Sequence, residues 1–163
     1  MKNLINLLLT LFLIACTSLK PLKSTNTSPS IHVQTDQVTL EKQINLPQNI
    51  NNVRWIVLQQ GVSSSVPGPT DTILYAVLTP KNNDWSSLAK LKSSSASQES
   101  VEVPVQIAKK LFSPKILKQL HQANDYVQIT GEQYEPNFFN KYSYRGVYAI
   151  LVHNNLLVCL QTT

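Results

Sequence analysis

The sequence predicts an α+β domain, with a single, mainly antiparallel sheet of about six strands, short helices inserted mid-chain and a C-terminal β-hairpin. Three observations support this fold class. Apolar and polar residues alternate in several short segments. Residues 104–121 have helical spacing and two helix-start signals. Two apolar segments near the C-terminus flank a short turn that contains asparagines.

Three strands are predicted between residues 38 and 79. Residues 38–46 alternate between apolar and polar side chains, which is typical of a half-buried strand. Residues 53–60 form a second strand. Residues 72–79 form a third that is apolar on both faces, and we therefore expect it at the centre of the sheet. The intervening residues 61–71 contain Pro-Gly-Pro, which cannot continue a strand, so they form a long loop.

Short helices are predicted to follow the third strand. Asp84 is placed to cap the first helix. After a serine-rich loop, residues 104–112 and 113–121 form two more helices, because Pro104 fits a first turn and Ser113-Pro114 combines an N-cap with a first-turn proline. The shared helical faces comprise Trp85, Leu88, Ala89 and Lys92 in the first helix, Ile107, Ala108 and Leu111 in the second, and Ile116, Leu117 and Leu120 in the third.

The chain is predicted to end in strands. Residues 126–132 return to a strand pattern. Residues 146–152 and 156–161 are nearly all apolar and flank His153-Asn154-Asn155, and asparagine tolerates the positive φ of a tight turn. These two segments therefore form a β-hairpin whose arms lie inside a sheet that is covered on both sides.

The best catalytic candidates in the sequence do not form a site. If Asn154-Asn155 is the hairpin turn, Cys159 pairs with Ile150 and faces away from His153, whereas a three-residue turn would change this register. His121 and Asp125 stand four residues apart, but a predicted helix end separates them. No two of the three histidines have metal-ligand spacing. We therefore expect a protein without catalytic residues, metal or cofactor.

The positive charge is concentrated in residues 81–118. This stretch contains seven lysines and three acidic residues, a net charge of +4 within a chain total of +5. It contains no arginine, the residue that reads phosphates and base edges through a planar fork. We therefore expect no nucleic-acid partner and interpret the lysines as solvated helix faces, with loose attraction to anionic lipid headgroups as the alternative.

The N-terminus has the pattern of a secretion signal. Lys2 precedes an 11-residue, mostly apolar segment, residues 4–14, which is too short to span a bilayer. The segment ends in Leu13-Ile14-Ala15-Cys16, which resembles the lipobox of bacterial lipoproteins. The resemblance implies that the Cys16 thiol receives a diacylglyceryl group and that the chain is cut before Cys16. Membrane lipid is then a partner of the mature protein through this anchor.

Three regions follow from this interpretation. Residues 1–15 are the signal peptide, residues 16–35 are a lipid-anchored flexible tether rich in Ser, Thr, Pro and Asn, and residues 36–163 are the globular α+β domain. In two-membrane bacteria, Asp after the lipidated cysteine favours the inner membrane, and Thr17 stands there instead. We therefore expect a protein of the cell envelope, anchored in the outer membrane and facing the periplasm; a single-membrane host would leave it on its outer face.

Residues 134–148 hold half of the chain's 12 aromatic residues, and they supply the candidate interaction surface. Aromatic and arginine side chains suit a protein partner or a sugar ring; the alternative is that they cover the edge of the sheet as a small core. The candidate surface comprises Phe138, Phe139, Tyr142, Tyr144 and Arg145. The loop at residues 61–71 is a second possible surface. We expect a non-enzymatic accessory or inhibitory subunit with an envelope protein partner, with a cell-wall glycan or small-ligand module as the alternative and an enzyme of unknown class third.

Replacing the predicted lipidation site tests the anchor. We expect Cys16→Ser to release the protein from membranes. Two or three acyl chains bind a bilayer firmly, whereas a polypeptide without them has no lipid anchor. Membrane fractionation of mutant and wild type, with metabolic lipid labelling of both, measures the effect. A mutant that stays equally membrane-bound, beside a wild type without lipid label, would contradict the interpretation.

Overall fold

Seven strands form one antiparallel sheet in the structure, a computed structural model that describes residues 31–60, 71–92 and 99–162. The strands are β1 (Ile50–Gln60), β2 (Asp71–Pro80), β3 (Glu99–Pro104), β4 (His121–Ala123), β5 (Tyr126–Tyr134), β6 (Tyr144–Val152) and β7 (Asn155–Thr162). Their order is β1-β2-β7-β6-β5-β3, and β4 pairs with β5. The predicted α+β class, the antiparallel sheet and the C-terminal hairpin β6–β7 are confirmed, with one strand more than expected.

The helices of the described ranges are short. The α-helices there are α1 (Gln37–Gln43), which precedes β1, and α2 (Val105–Leu111) and α3 (Pro114–Leu117), which lie between strands. Three 3-10 helices in the same ranges span Lys81–Asn83, Ser86–Leu91 and Pro136–Phe139. Within the described ranges, no helix is long and apolar enough to cross a bilayer.

The sheet has a core on each face, because successive side chains of a strand point to opposite sides. In β7, residues 156–160 are all buried, and they alternate between the two cores. The first core contains Val158 and is covered by Leu40 of α1 and by Ile44, the residue that caps its C-terminus, together with Phe139. The second core contains Leu157 and Cys159 and is covered by Ile107, Ala108 and Leu111 of α2, and by Val103 and Ile129 from β3 and β5.

The strand β5 joins the sheet proper to the cover of the second core. Its residues 132–134 pair with β6, whereas its residues 126–131 pair with β3. Gly131 lies where β5 changes partner, and a Cβ atom there would overlap the carbonyl oxygen of Leu151 in β6. Only glycine lets the two backbones approach so closely.

The predicted strand at residues 38–46 is wrong, because this segment contains α1. The carboxylate of Asp36 accepts a hydrogen bond from the Val38 backbone N–H (3.1 Å) and another from the Thr39 hydroxyl, so it caps the helix. The Thr39 hydrogen bond is the main cause that lowers the pKa of Asp36. Leu40 and Ile44, four residues apart, are buried together, and Val38 is 61% exposed. Side chains four residues apart lie on the same face of a strand and of a helix, so the burial of Leu40 and Ile44 is compatible with both. The cap at Asp36 is the feature that favours the helix.

Several other elements were predicted correctly, some with shifted bounds. The strands β1, β2 and β5 lie where they were expected, and β2 is buried on both faces as an interior strand, although it lies beside the edge strand β1 and not at the centre of the sheet. The helix α2 buries its predicted face, but α3 ends at Leu117, so His121 lies in β4 instead of a helix. The strand β3 was expected to be part of a serine-rich loop and a helix start. Of the predicted loop at residues 61–71, only Asp71 lies within the described residues, and it begins β2.

The helix that follows Asp84 is a 3-10 helix and does not form the predicted four-residue face. Asp84 accepts a hydrogen bond from the Ser86 backbone N–H (2.8 Å), but the helix begins at Ser86, so Trp85 and not Asp84 occupies the N-cap position. Leu88 is buried, whereas Ala89 and Lys92 are exposed, because three residues per turn rotate side chains differently from an α-helix.

The hairpin turn is His153-Asn154, one residue earlier than predicted. His153 has a φ of 52°, and Val152 pairs with Asn155. Cys159 consequently pairs with Tyr148 instead of Ile150. The predicted faces survive this error, because pairing partners that shift by two residues keep every side chain on its side of the sheet.

The close approach at Gly131 gives a direct test of the fold. We expect Gly131→Ala to lower the free energy of unfolding by about 2 kcal/mol, because the added methyl group meets backbone atoms that cannot move independently. Urea titration followed by circular dichroism measures the change. Thr130→Ala, at the exposed neighbouring position of β5, is the matched control and should stay within about 0.5 kcal/mol of wild type. Equal stabilities for the two variants would show that the strands are further apart.

Candidate functional site

The predicted aromatic surface begins on a short, well-capped helix. The Glu135 carboxylate accepts hydrogen bonds from the backbone N–H of Asn137 (3.2 Å) and from its side-chain amide (2.7 Å), and Pro136 occupies the first turn. The rings of Phe138 and Phe139 meet edge to face, 5.1 Å apart. Phe139 is completely buried in the first core and Phe138 is half-buried against it. The expectation that Phe139 lies on an interaction surface is therefore wrong.

The other end of this segment projects Tyr142 into solvent. Tyr142 is 77% exposed and has a φ of 54°, a left-handed conformation that bulky residues rarely adopt. The Arg145 guanidinium donates hydrogen bonds to the carbonyl oxygens of Tyr142 (2.8 Å) and Tyr144 (3.0 Å). The Lys141 ammonium lies 5.6 Å from the centre of the Tyr142 ring. The backbone is thus held in place around an exposed aromatic side chain.

Contacts with Asn45 and with the first core hold the segment in place. The side-chain amide of Asn45, just beyond α1, donates to the carbonyl oxygens of Phe138 (3.1 Å) and Asn140 (2.8 Å). Tyr144 is half-buried against the first core. Of the five predicted surface residues, Tyr142 and Arg145 are exposed, whereas Phe138 and Tyr144 are partly covered. The segment therefore covers a core on one side and presents Tyr142 on the other.

A polar cleft lies next to this segment, between α1 and residues 44–50. Its volume is about 590 Å³, and Lys81 and Lys141 close it at the side. We call it the amide cleft, because four of its lining side chains are carboxamides: Gln37, Asn45, Gln48 and Asn49. Sequence reasoning missed it because residues 38–46 were interpreted as a strand. The cap residue Asp36 immediately before apolar residues at helical spacing, Leu40 and Ile44, could have identified the helix.

A second cleft, of about 530 Å³, lies where β4 and β6 diverge along β5. His121 and His153 are among its lining residues, together with Glu132. The Glu132 carboxylate forms an ion pair with Lys92 (2.7 Å), and this hydrogen bond lowers its pKa. In the described part of the chain, no three His, Cys, Asp or Glu side chains are grouped to hold a metal ion.

Cys159 and His153 are not brought together. His153 is exposed in the hairpin turn, and Cys159 is buried in the second core, beside Tyr75 and Tyr148 on the neighbouring strands. Burial raises the pKa of the Cys159 thiol to about 12 and that of Tyr75 to about 12, and it raises the pKa of Tyr148 as well. A thiol with such a pKa is protonated at neutral pH and is a poor nucleophile.

Comparison with known proteins identifies no relative of this chain. No family model matches the sequence, and neither a curated protein nor a solved structure matches it.

The buried thiol should resist modification. In a Cys16→Ser background Cys159 is the only thiol, and we expect no reaction with a thiol reagent at pH 8 until denaturant is added. Folding holds the pKa above its unfolded value of about 8.5, so this contribution to stability is complete below that pH. It is lost as the pH rises towards 12. Labelling kinetics and urea titrations from pH 7 to pH 11 measure both effects, with Cys159→Ala as the control. Rapid labelling of the native protein would contradict the prediction.

Proposed function

We propose that this protein is a lipid-anchored envelope lipoprotein whose mature domain acts by binding and not by catalysis. The lipobox-like residues 13–16 and the tether behind them support the anchor. The proposed location is the outer membrane, facing the periplasm. The proposed role is that of an accessory or inhibitory subunit for another envelope protein.

One observation carries the binding proposal, namely the way in which Tyr142 is presented. Exposed aromatic side chains lose little conformational entropy on binding, and tyrosine and arginine are enriched where interfaces are strongest. Tyr142 stands on a backbone that hydrogen bonds from Arg145 and Asn45 hold in place, so little ordering is needed when a partner covers the ring. Phe139 anchors the same segment in the first core.

A second candidate function, the binding of a cell-wall glycan or a small ligand, is favoured by the amide cleft. A concave site with converging polar groups is typical of ligand binding. The amide cleft adjoins the Tyr142 segment and does not include Tyr142 itself.

The protein-partner proposal predicts that position 142 lies in an interface. We expect a photo-crosslinking amino acid at position 142 to give a discrete crosslinked product with an envelope protein in intact cells. The same amino acid at Tyr126, another exposed tyrosine, is the matched control and should give none. Identical crosslinking from both positions, or none from either, would contradict the proposal.

Stability measurements on two variants distinguish a loss of binding from a loss of folding. Tyr142→Asn removes the ring but keeps a residue that tolerates positive φ, so we expect an unchanged melting temperature and lost partner capture. Phe139→Ala should instead lower the free energy of unfolding by about 4 kcal/mol, the usual cost of removing a buried phenylalanine.

A further inference from the structure

We propose that the amide cleft binds a saccharide. The cleft lies on the outer side of α1 and of the turn that follows it, in a part of the chain that the structure describes without a gap from residue 31 to residue 60. The inference rests on the second candidate function and deepens it, because it assigns a ligand class to a site that adjoins the Tyr142 segment.

The lining side chains offer hydrogen-bond donors and acceptors together. The side-chain amide N–H₂ of Gln37 donates to Glu41 (2.8 Å), and that of Asn45 donates to two backbone carbonyls, so both carboxamides keep oxygens that can accept. Among the described residues, the side chains of Gln48 and Asn49 have no hydrogen-bond partner and offer both functions. Sugar hydroxyls donate and accept at adjacent positions, and carboxamides are the side chains that match both roles.

Apolar side chains also belong to the lining of the cleft. Ile44, Pro47 and Ile50 are buried, whereas Leu46 is half-buried against the first core and keeps apolar surface that a ligand can touch. A sugar ring has an apolar face of C–H groups as well as a rim of hydroxyls. A lining that combines polar side chains with the apolar surface of Leu46 therefore fits a ring better than it fits a fully polar or a fully apolar molecule.

The charges argue against a phosphate or another compact anion. Lys81 and Lys141 line the cleft, but so does the carboxylate-bearing Glu41, which leaves a net charge of +1. The Lys141 ammonium already donates a hydrogen bond to the Glu41 carbonyl oxygen (2.6 Å) and lies over the Tyr142 ring. Among the described residues that line the cleft there is no arginine to bind phosphate oxygens in pairs. A neutral saccharide is therefore the ligand class that the lining favours.

The size of the cleft is suited to this ligand. Pockets for small molecules have volumes of roughly 300–1,000 Å³, and the amide cleft falls within that range at about 590 Å³. Among its lining residues, Ile44 and Ile50 belong to the first core and Leu46 packs against that core, which attaches residues 44–50 to the sheet.

Calorimetric titration of the full chain tests the proposal. The protein is kept in a detergent without a sugar headgroup, and the probes are chitotetraose, a neutral oligomer of N-acetylglucosamine, and inorganic phosphate. We expect saturable binding of chitotetraose and none of phosphate. No saturable binding of chitotetraose, or binding of phosphate alone, would overturn the proposal.

Variants assign the binding to the cleft. Gln48→Ala and Gln37→Ala should each weaken chitotetraose binding about fivefold, the effect of one lost hydrogen bond, at an unchanged melting temperature. Gln122→Ala, an exposed glutamine on β4, is the matched control and should bind like wild type. Equal affinities for all three variants would overturn the assignment. Crosslinking from position 142, measured on Gln48→Ala, should be unchanged, so that failure of one proposal is distinguishable from failure of the other.

Discussion

The whole architecture depends on the burial of the interior strands on both faces. Strands β2 and β7 are apolar on both sides, and residues 156–160 of β7 are buried without interruption. A sheet of this kind is stable in water only if both faces are covered. The chain supplies one cover from α1 and two 3-10 helices, and the other from α2, β3 and the first half of β5. The remaining features of the molecule are consequences of how these covers are attached.

The second cover is attached through a single strand. Because β5 pairs with β6 at one end and with β3 at the other, it leads from the sheet into the layer above it. The absence of a side chain at Gly131 permits this transition. The layer above then removes Cys159 and Tyr75 from water, which explains why the lone thiol is a packing residue with a raised pKa instead of a reactive group. The packing that completes the second core thus also keeps the Cys159 thiol away from solvent.

Both candidate functional surfaces lie on the outer side of the first cover. The segment at residues 136–142 inserts Phe139 into the core and turns Tyr142 outwards, and Asn45 ties this segment to the end of α1. The inner side of α1 buries Leu40, the next residue after the helix, Ile44, is buried with it, and Gln37 and Glu41 of α1 line the amide cleft. Elements that are needed to cover the sheet therefore also hold the polar and aromatic side chains in fixed positions, and this preorganisation favours binding.

The sequence by itself determined the fold class, the hairpin β6–β7, the burial of β2 on both faces and the buried face of α2, because these depend on local periodicity and on turn or cap residues. It did not determine α1, since Leu40 and Ile44 share a face in a strand and in a helix, and it did not reveal β3 beside a serine-rich segment. Only the tertiary structure decided that Phe139 is core while Tyr142 is surface, because neighbouring aromatics carry no local signal of the side to which each turns. It also decided the amide cleft, whose walls come from α1, from residues 44–50 and from two distant lysines. Such a site is a product of long-range contacts, which no local pattern in the sequence encodes.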